Sequence, residues 1–95
     1  MRILDVRRQV SYTDYLVIAS GRSDVHVQAL TDAVAEATAL ADVAPLHREG
    51  VAVAQWVVLD YGDVVVHIMQ PEQREFYGLE RLWADAPVAP GSPTA

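Results

Sequence analysis

The sequence predicts an α+β fold, and three observations carry that reading. Two β-branched runs, residues 56–60 and 63–68, flank a glycine as the arms of a hairpin would. Apolar residues recur at helical spacing between Asp24 and Leu40. Pro71, followed by Glu72 and Glu75, opens a second helix. With 95 residues, 52% of them apolar, the chain can bury one small core, so a single domain over residues 1–83 is expected.

The chain begins with a short apolar strand at 3–6, passes a polar, turn-like stretch at 7–14, and returns to strand character at 15–19. Ser20, Gly21, Arg22 and Ser23 lead into the long helix, where Ser23 is the expected N-cap and Asp24 complements the positive end of the helix dipole. Val27, Leu30, Val34, Ala37 and Ala41 form the apolar stripe of that helix, and Gln28, Asp32 and Glu36 its solvated one. Pro45 closes the helical region, residues 46–49 read as a third strand, and Gly50 turns toward the hairpin.

In the hairpin, Tyr61 and Gly62 are expected to make the turn, because glycine takes the left-handed conformation that a tight turn demands. That register sets Asp60 opposite Asp63 and Trp56 opposite His67. Val57, Leu59, Val64, Val66 and Ile68 then share a buried face, while Trp56, Val58, Asp60, Asp63, Val65 and His67 share the other. Past Pro71, the second helix puts Phe76, Leu79 and Trp83 on one side, with Gly78 weakening or interrupting it and Phe76 expected in the core. Residues 84–95, rich in Ala and Pro, read as a disordered tail.

Composition narrows the function. A formal charge of −6 and the absence of lysine argue against gripping phosphates, so no direct sequence-specific nucleic-acid binding is expected. The charge suits a basic protein partner. Without cysteine there is no disulfide, no thiolate catalysis and no cysteine-based zinc site. No apolar run approaches the roughly 20 residues a bilayer requires, so no membrane partner is expected and the cytoplasm is the expected location.

No catalytic set emerges either, and neither an enzyme nor a cofactor is expected. His26, His47 and His67 fall on three separate elements with no H-x-x-x-H pair. The Gly21–Ser23 turn could hold an anion on its backbone amides, but a plain strand-to-helix turn needs the same residues. Asp60 and Asp63 leave two readings open. Like charges facing across a strand pair destabilise it, which favours a functional role, yet aspartates also bond nearby amides in ordinary turns.

The segments DVRRQVSYTDYLVIASGRS, WVVLDYGDVVVHIMQ and REFYGLERLW resemble the Iojap family, the bacterial ribosomal silencing factors. The resemblance covers about the whole of residues 3–83. It implies a mixed β-sheet of about five strands with flanking helices, nucleotidyltransferase-like in topology, and a homodimer. It also implies docking on ribosomal protein fourteen of the large ribosomal subunit, which blocks subunit joining and represses translation when nutrients are scarce. Large-subunit assembly and nucleotidyltransferase-like catalysis are the alternatives. The nucleotidyltransferase acids sit as D-x-D on a strand, whereas here Asp60 and Asp63 flank a turn, and shared topology does not bring shared chemistry. The family pattern also places a helix ahead of the first strand, which this sequence is expected to lack.

Residue patterning and resemblance meet on the Trp56 face of the hairpin. Trp56 and Tyr77 are the expected apolar anchors for the ribosomal protein. Asp60, Asp63 and Glu80 would meet its arginines or lysines, with His67 beside them.

Overall fold

A computed structural model describes residues 1–89. Its elements run β1 (Arg2–Asp5), β2 (Tyr15–Ser20), α1 (Asp24–Leu40), β3 (His47–Glu49), β4 (Trp56–Asp60), β5 (Val64–Met69), α2 (Pro71–Tyr77) and α3 (Leu79–Leu82). The strands form one mixed sheet in the order β1-β2-β5-β4-β3. Only β2 and β5 run parallel, and the other three pairings are antiparallel. The α+β expectation with about five strands holds.

Strand period two sorts the side chains into two cores. On one side Val57, Leu59, Val66 and Ile68 pack with Val27 of α1 and with Ala54, and Leu30, Val34 and Tyr61 lie against them. On the other, Leu4, Val6, Leu16, Ile18 and Val65 pack with Ala86, and Leu79 and Trp83 cover them. The hairpin therefore does not divide into a buried face and a free one. Val65 and Met69, on the Trp56 side, are buried as well.

Local chemistry explains the element ends. Ser23 Oγ accepts the His26 amide at 3.1 Å and caps α1, as its residue type requires. Gly21 lies directly beneath the helix, where a Cβ would fall 2.8 Å from the Val27 side chain. Thr31, bonded to the Val27 carbonyl at 2.8 Å, takes a buried place on α1, whereas Ala37 and Ala41 of the expected stripe are exposed. A threonine can be buried on a helix because its hydroxyl bonds the preceding turn.

The hairpin register differs from expectation by two residues. Asp60 pairs with Val65, Val58 with His67 and Trp56 with Met69. The two-residue turn is Gly62–Asp63, closed by the Tyr61 amide on the Val64 carbonyl at 2.9 Å. Gly62, at φ +87°, occupies the first central position, where primed hairpin turns need positive φ. Asp60 and Asp63 consequently do not face each other. Asp60 Oδ1 instead accepts the Gly62 amide at 2.8 Å, which is the turn reading of that residue. Asp60→Ala should therefore destabilise the fold by about 1 kcal/mol through loss of that bond, and no repulsion is relieved. Thermal unfolding of the variant checks the sign.

Two further expectations are corrected. Phe76 is 80% exposed and outside the core. Gly78 takes φ +58° and ends α2 at Tyr77, so the helical phase that would align Phe76 with Leu79 and Trp83 is broken between them. The segment from residue 84 to 89 is also ordered. The Asp5 amide bonds the Pro87 carbonyl at 2.9 Å, the Ala89 amide bonds the Ile3 carbonyl at 2.8 Å, and Ala86 and Ala89 are buried. Backbone pairing along the outer edge of β1 holds this stretch, and composition does not report such pairing. The rest of the expected tail, 90–95, lies outside the described residues.

Candidate protein-docking face

Of the six residues expected to bind a partner, the fold brings three together. Trp56 opens β4, His67 lies on β5, and Tyr77 ends α2, which packs over that end of the sheet. The Trp56 indole N–H donates to His67 Nδ1 at 3.0 Å. The Trp56 and Tyr77 ring centroids are 4.7 Å apart with a 45° tilt, and Phe76 meets Tyr77 edge-on at 5.1 Å. Trp56 is half-buried, whereas Tyr77 and Phe76 are 52% and 80% exposed. Three adjoining aromatics thus show ring surface to solvent, and rings of this kind are favoured in protein interfaces.

The three carboxylates are elsewhere. Asp60 ends β4 some 13 Å from Trp56 at the rise of about 3.3 Å per strand residue, and Asp63 lies in the turn beyond it. Asp63 is exposed, and its carbonyl accepts the amides of Asp14 and Tyr15 at 2.9 and 3.1 Å, tying the β1–β2 loop to the hairpin. Glu80 is already engaged within the chain. Its carboxylate takes Arg74 Nε at 2.6 Å and Arg2 Nη1 at 3.0 Å, joining α3 to α2 and β1. The Arg74 bond holds the Glu80 carboxyl below the usual carboxylate range, with burial opposing and Arg2 adding. A partner cation at Glu80 would compete with two arginines.

Burial pushes the His67 imidazole below its ordinary pKa of about 6.5. In the folded chain the ring is neutral at pH 7, with Nδ1 free to accept the indole N–H. The unfolded chain takes up a proton near pH 6.5 and the folded chain resists it. Stability should therefore be full above about pH 6.5 and fall as pH drops from there through the depressed folded value. Melting temperature against pH should show that decline in the parent. It should be missing just below pH 6.5, or thereabouts, in His67→Gln, since carboxylates titrate lower.

Around the Gly21–Ser23 turn the Gly21 amide bonds the Met69 carbonyl at 3.0 Å, the Arg22 amide bonds His26 Nδ1 at 2.9 Å and the His26 amide bonds Ser23 Oγ. Among the described residues no three His, Asp or Glu side chains converge as a metal shell requires. No helix among them is long and apolar enough to cross a membrane. Phe76 is the exposed aromatic of this cluster that sequence reasoning missed. Its signal was Gly78, which ends the helix one residue after Tyr77 and so removes Phe76 from the phase of Leu79.

The family model described as "Ribosomal silencing factor during starvation" matches residues 1–94. A Zymomonas mobilis protein named ribosomal silencing factor RsfS is 43% identical over 84 residues, covering 83% of this chain and 63% of its own length. A mouse protein named "Mitochondrial assembly of ribosomal large subunit protein 1" is 34% identical over 84 residues, covering 85% of this chain and 37% of itself. The chain thus spans about three-fifths of the first relative and just over a third of the second. A crystal structure of a Chromobacterium violaceum protein superposes with a TM-score of 0.84 at 33% identity, over 98% of this chain and 76% of that one. With a family match along nearly its whole length and a shared sheet, the chain belongs to the Iojap family of ribosomal silencing factors.

Proposed function

We propose that the chain is a non-catalytic ribosomal silencing factor. It docks on the large ribosomal subunit through ribosomal protein fourteen, keeps the small subunit from joining, and lowers translation under nutrient limitation. The observation that carries this reading is the solvent-facing cluster of Trp56, Tyr77 and Phe76, set in a chain of the silencing-factor family. Large aromatics are favoured interface anchors, and a chain of charge −6 complements a basic ribosomal protein. Trp56, His67 and Tyr77 form the central contact. Asp60 and Asp63 add a separate acidic contact at the hairpin tip, and Glu80 on α3 adds another where it meets Arg2 and Arg74. A homodimer is part of the proposal, as is action in the cytoplasm.

The mouse relative's name favours a second reading, a factor in large-subunit assembly that uses the same face. Sedimentation with large subunits, small subunits, joined ribosomes and immature large-subunit particles tests both. Silencing expects the chain to pellet with free mature large subunits alone, and to be released by added ribosomal protein fourteen. Pelleting only with immature particles would favour assembly, and pelleting with small subunits would overturn the proposal.

A further inference from the structure

Beside the aromatic cluster lies a cleft of about 350 Å³, lined by Gln55, Trp56, Glu72, Gln73, Phe76 and Tyr77. Its chemistry is one-sided. It offers three ring faces, one carboxylate and two carboxamides, and no cationic side chain lines it. The arginines nearest in sequence are committed elsewhere. Arg74 bonds Glu80 at 2.6 Å and Ser20 Oγ at 2.8 Å, and Arg81 bonds the Glu75 carbonyl at 3.1 Å. Glu72 has no ion-pair or hydrogen-bond partner among the described residues.

We infer that this cleft receives an arginine side chain of a protein partner. The inference rests on the docking reading and deepens it by naming the group that the face takes. A guanidinium stacks flat on aromatic rings, presents a fork of N–H donors to a carboxylate, and is hydrated more weakly than an ammonium. Against this cleft it stacks on Phe76 or Tyr77 and pairs with Glu72. The exposure of Phe76 then has a purpose, since a ring with no role in the core is the one that a cation can cover. A nucleobase could stack on the same rings, but its phosphates would meet Glu72 and a chain of charge −6.

The probe is N-acetylarginine amide, titrated into the full chain while NMR follows the Trp56 indole N–H and the Gln73 carboxamide. The indole signal is identified by its loss in Trp56→Phe. N-acetyllysine amide, the neutral isostere N-acetylcitrulline amide and a short single-stranded RNA are titrated in parallel. Arginine should move both signals, lysine should move them less, and citrulline and RNA should leave them in place. Phe76→Ala should weaken arginine binding about two- to fivefold, the range that one exposed cation–π contact supplies. Glu72→Gln should reduce the preference for arginine over citrulline to what the ring contact alone supplies, about two- to fivefold. Citrulline matching arginine, RNA alone moving the signals, or no response to arginine would overturn the inference. Sedimentation of both variants with large subunits separates the two levels. If the parent and both variants pellet equally and arginine gives no shift, the cleft assignment falls and docking stands. If arginine binds but the parent does not pellet, docking falls and the cleft stands.

Discussion

Trp56→Ala is expected to weaken association with the large subunit about thirtyfold or more, since truncating an interface anchor of tryptophan's size commonly costs about 2 kcal/mol or more. The indole is the hub of the proposed docking face. It contacts Tyr77 at a 4.7 Å ring separation and donates to His67 at 3.0 Å, so its removal disperses three contributors together. The fold should also lose some stability, because a half-buried ring leaves a cleft and His67 Nδ1 loses its donor. That loss should nevertheless be smaller than for Val57→Ala, whose side chain is fully buried beneath α1. The decisive comparison is thermal unfolding of both variants beside their sedimentation with large subunits. Trp56→Ala unfolding as badly as Val57→Ala, or binding as well as the parent, would show that Trp56 belongs to the core and not to an interface.

Gly50→Ala is expected to be the most damaging single-methyl change, costing about 3 kcal/mol or more. Left-handed strain of about 1–3 kcal/mol in a non-glycine residue adds there to displacement of packed backbone. Gly50 holds φ +76°, and a Cβ on it would overlap the carbonyl oxygen of Trp56. The Gly50 carbonyl also accepts the Ala54 amide at 2.9 Å, closing the turn that delivers the chain to β4. Relief of the overlap must move that turn or the first residue of β4, and Trp56 moves with it. For a domain of this size each kcal/mol is about 4–8 °C in melting temperature, so the variant should melt at least about 12 °C below the parent. Docking should weaken in parallel. An unchanged melting temperature would mean that the turn shifts freely and that Gly50 does not position Trp56.

The fold and part of the site were legible in the sequence because their signals are local. Ser23, Asp24 and the spacing of Val27, Leu30 and Val34 determined α1, whose capping bond and end residues follow from side-chain chemistry within one turn. The alternation of Val57 and Leu59 with Trp56 and Val58 determined which hairpin residues share a face. That assignment survived a register error of two residues, because a shift of two preserves side-chain parity. For the same reason Trp56 and His67 were placed on one face even though they are not cross-strand partners.

What depended on contacts between distant segments was decided only by the tertiary structure. Whether Asp60 faces Asp63 turned on which two residues make the turn, and Gly62 could serve at either central position until pairing fixed it at the first. Glu80 could not be known to be engaged from sequence, since its partners Arg2 and Arg74 lie 78 and 6 residues away. Residues 84–89 are ordered by backbone bonds to Ile3 and Asp5 and by burial of Ala86 and Ala89, contacts with the far end of the chain that an Ala- and Pro-rich composition does not reveal. Phe76 was drawn outward when one left-handed glycine interrupted a helical phase that would otherwise have buried it. Local patterning determines the elements and their faces, because side-chain period and capping act within a few residues. Pairing across the chain decides register, ion pairs and exposure, because those depend on neighbours that sequence distance does not reveal.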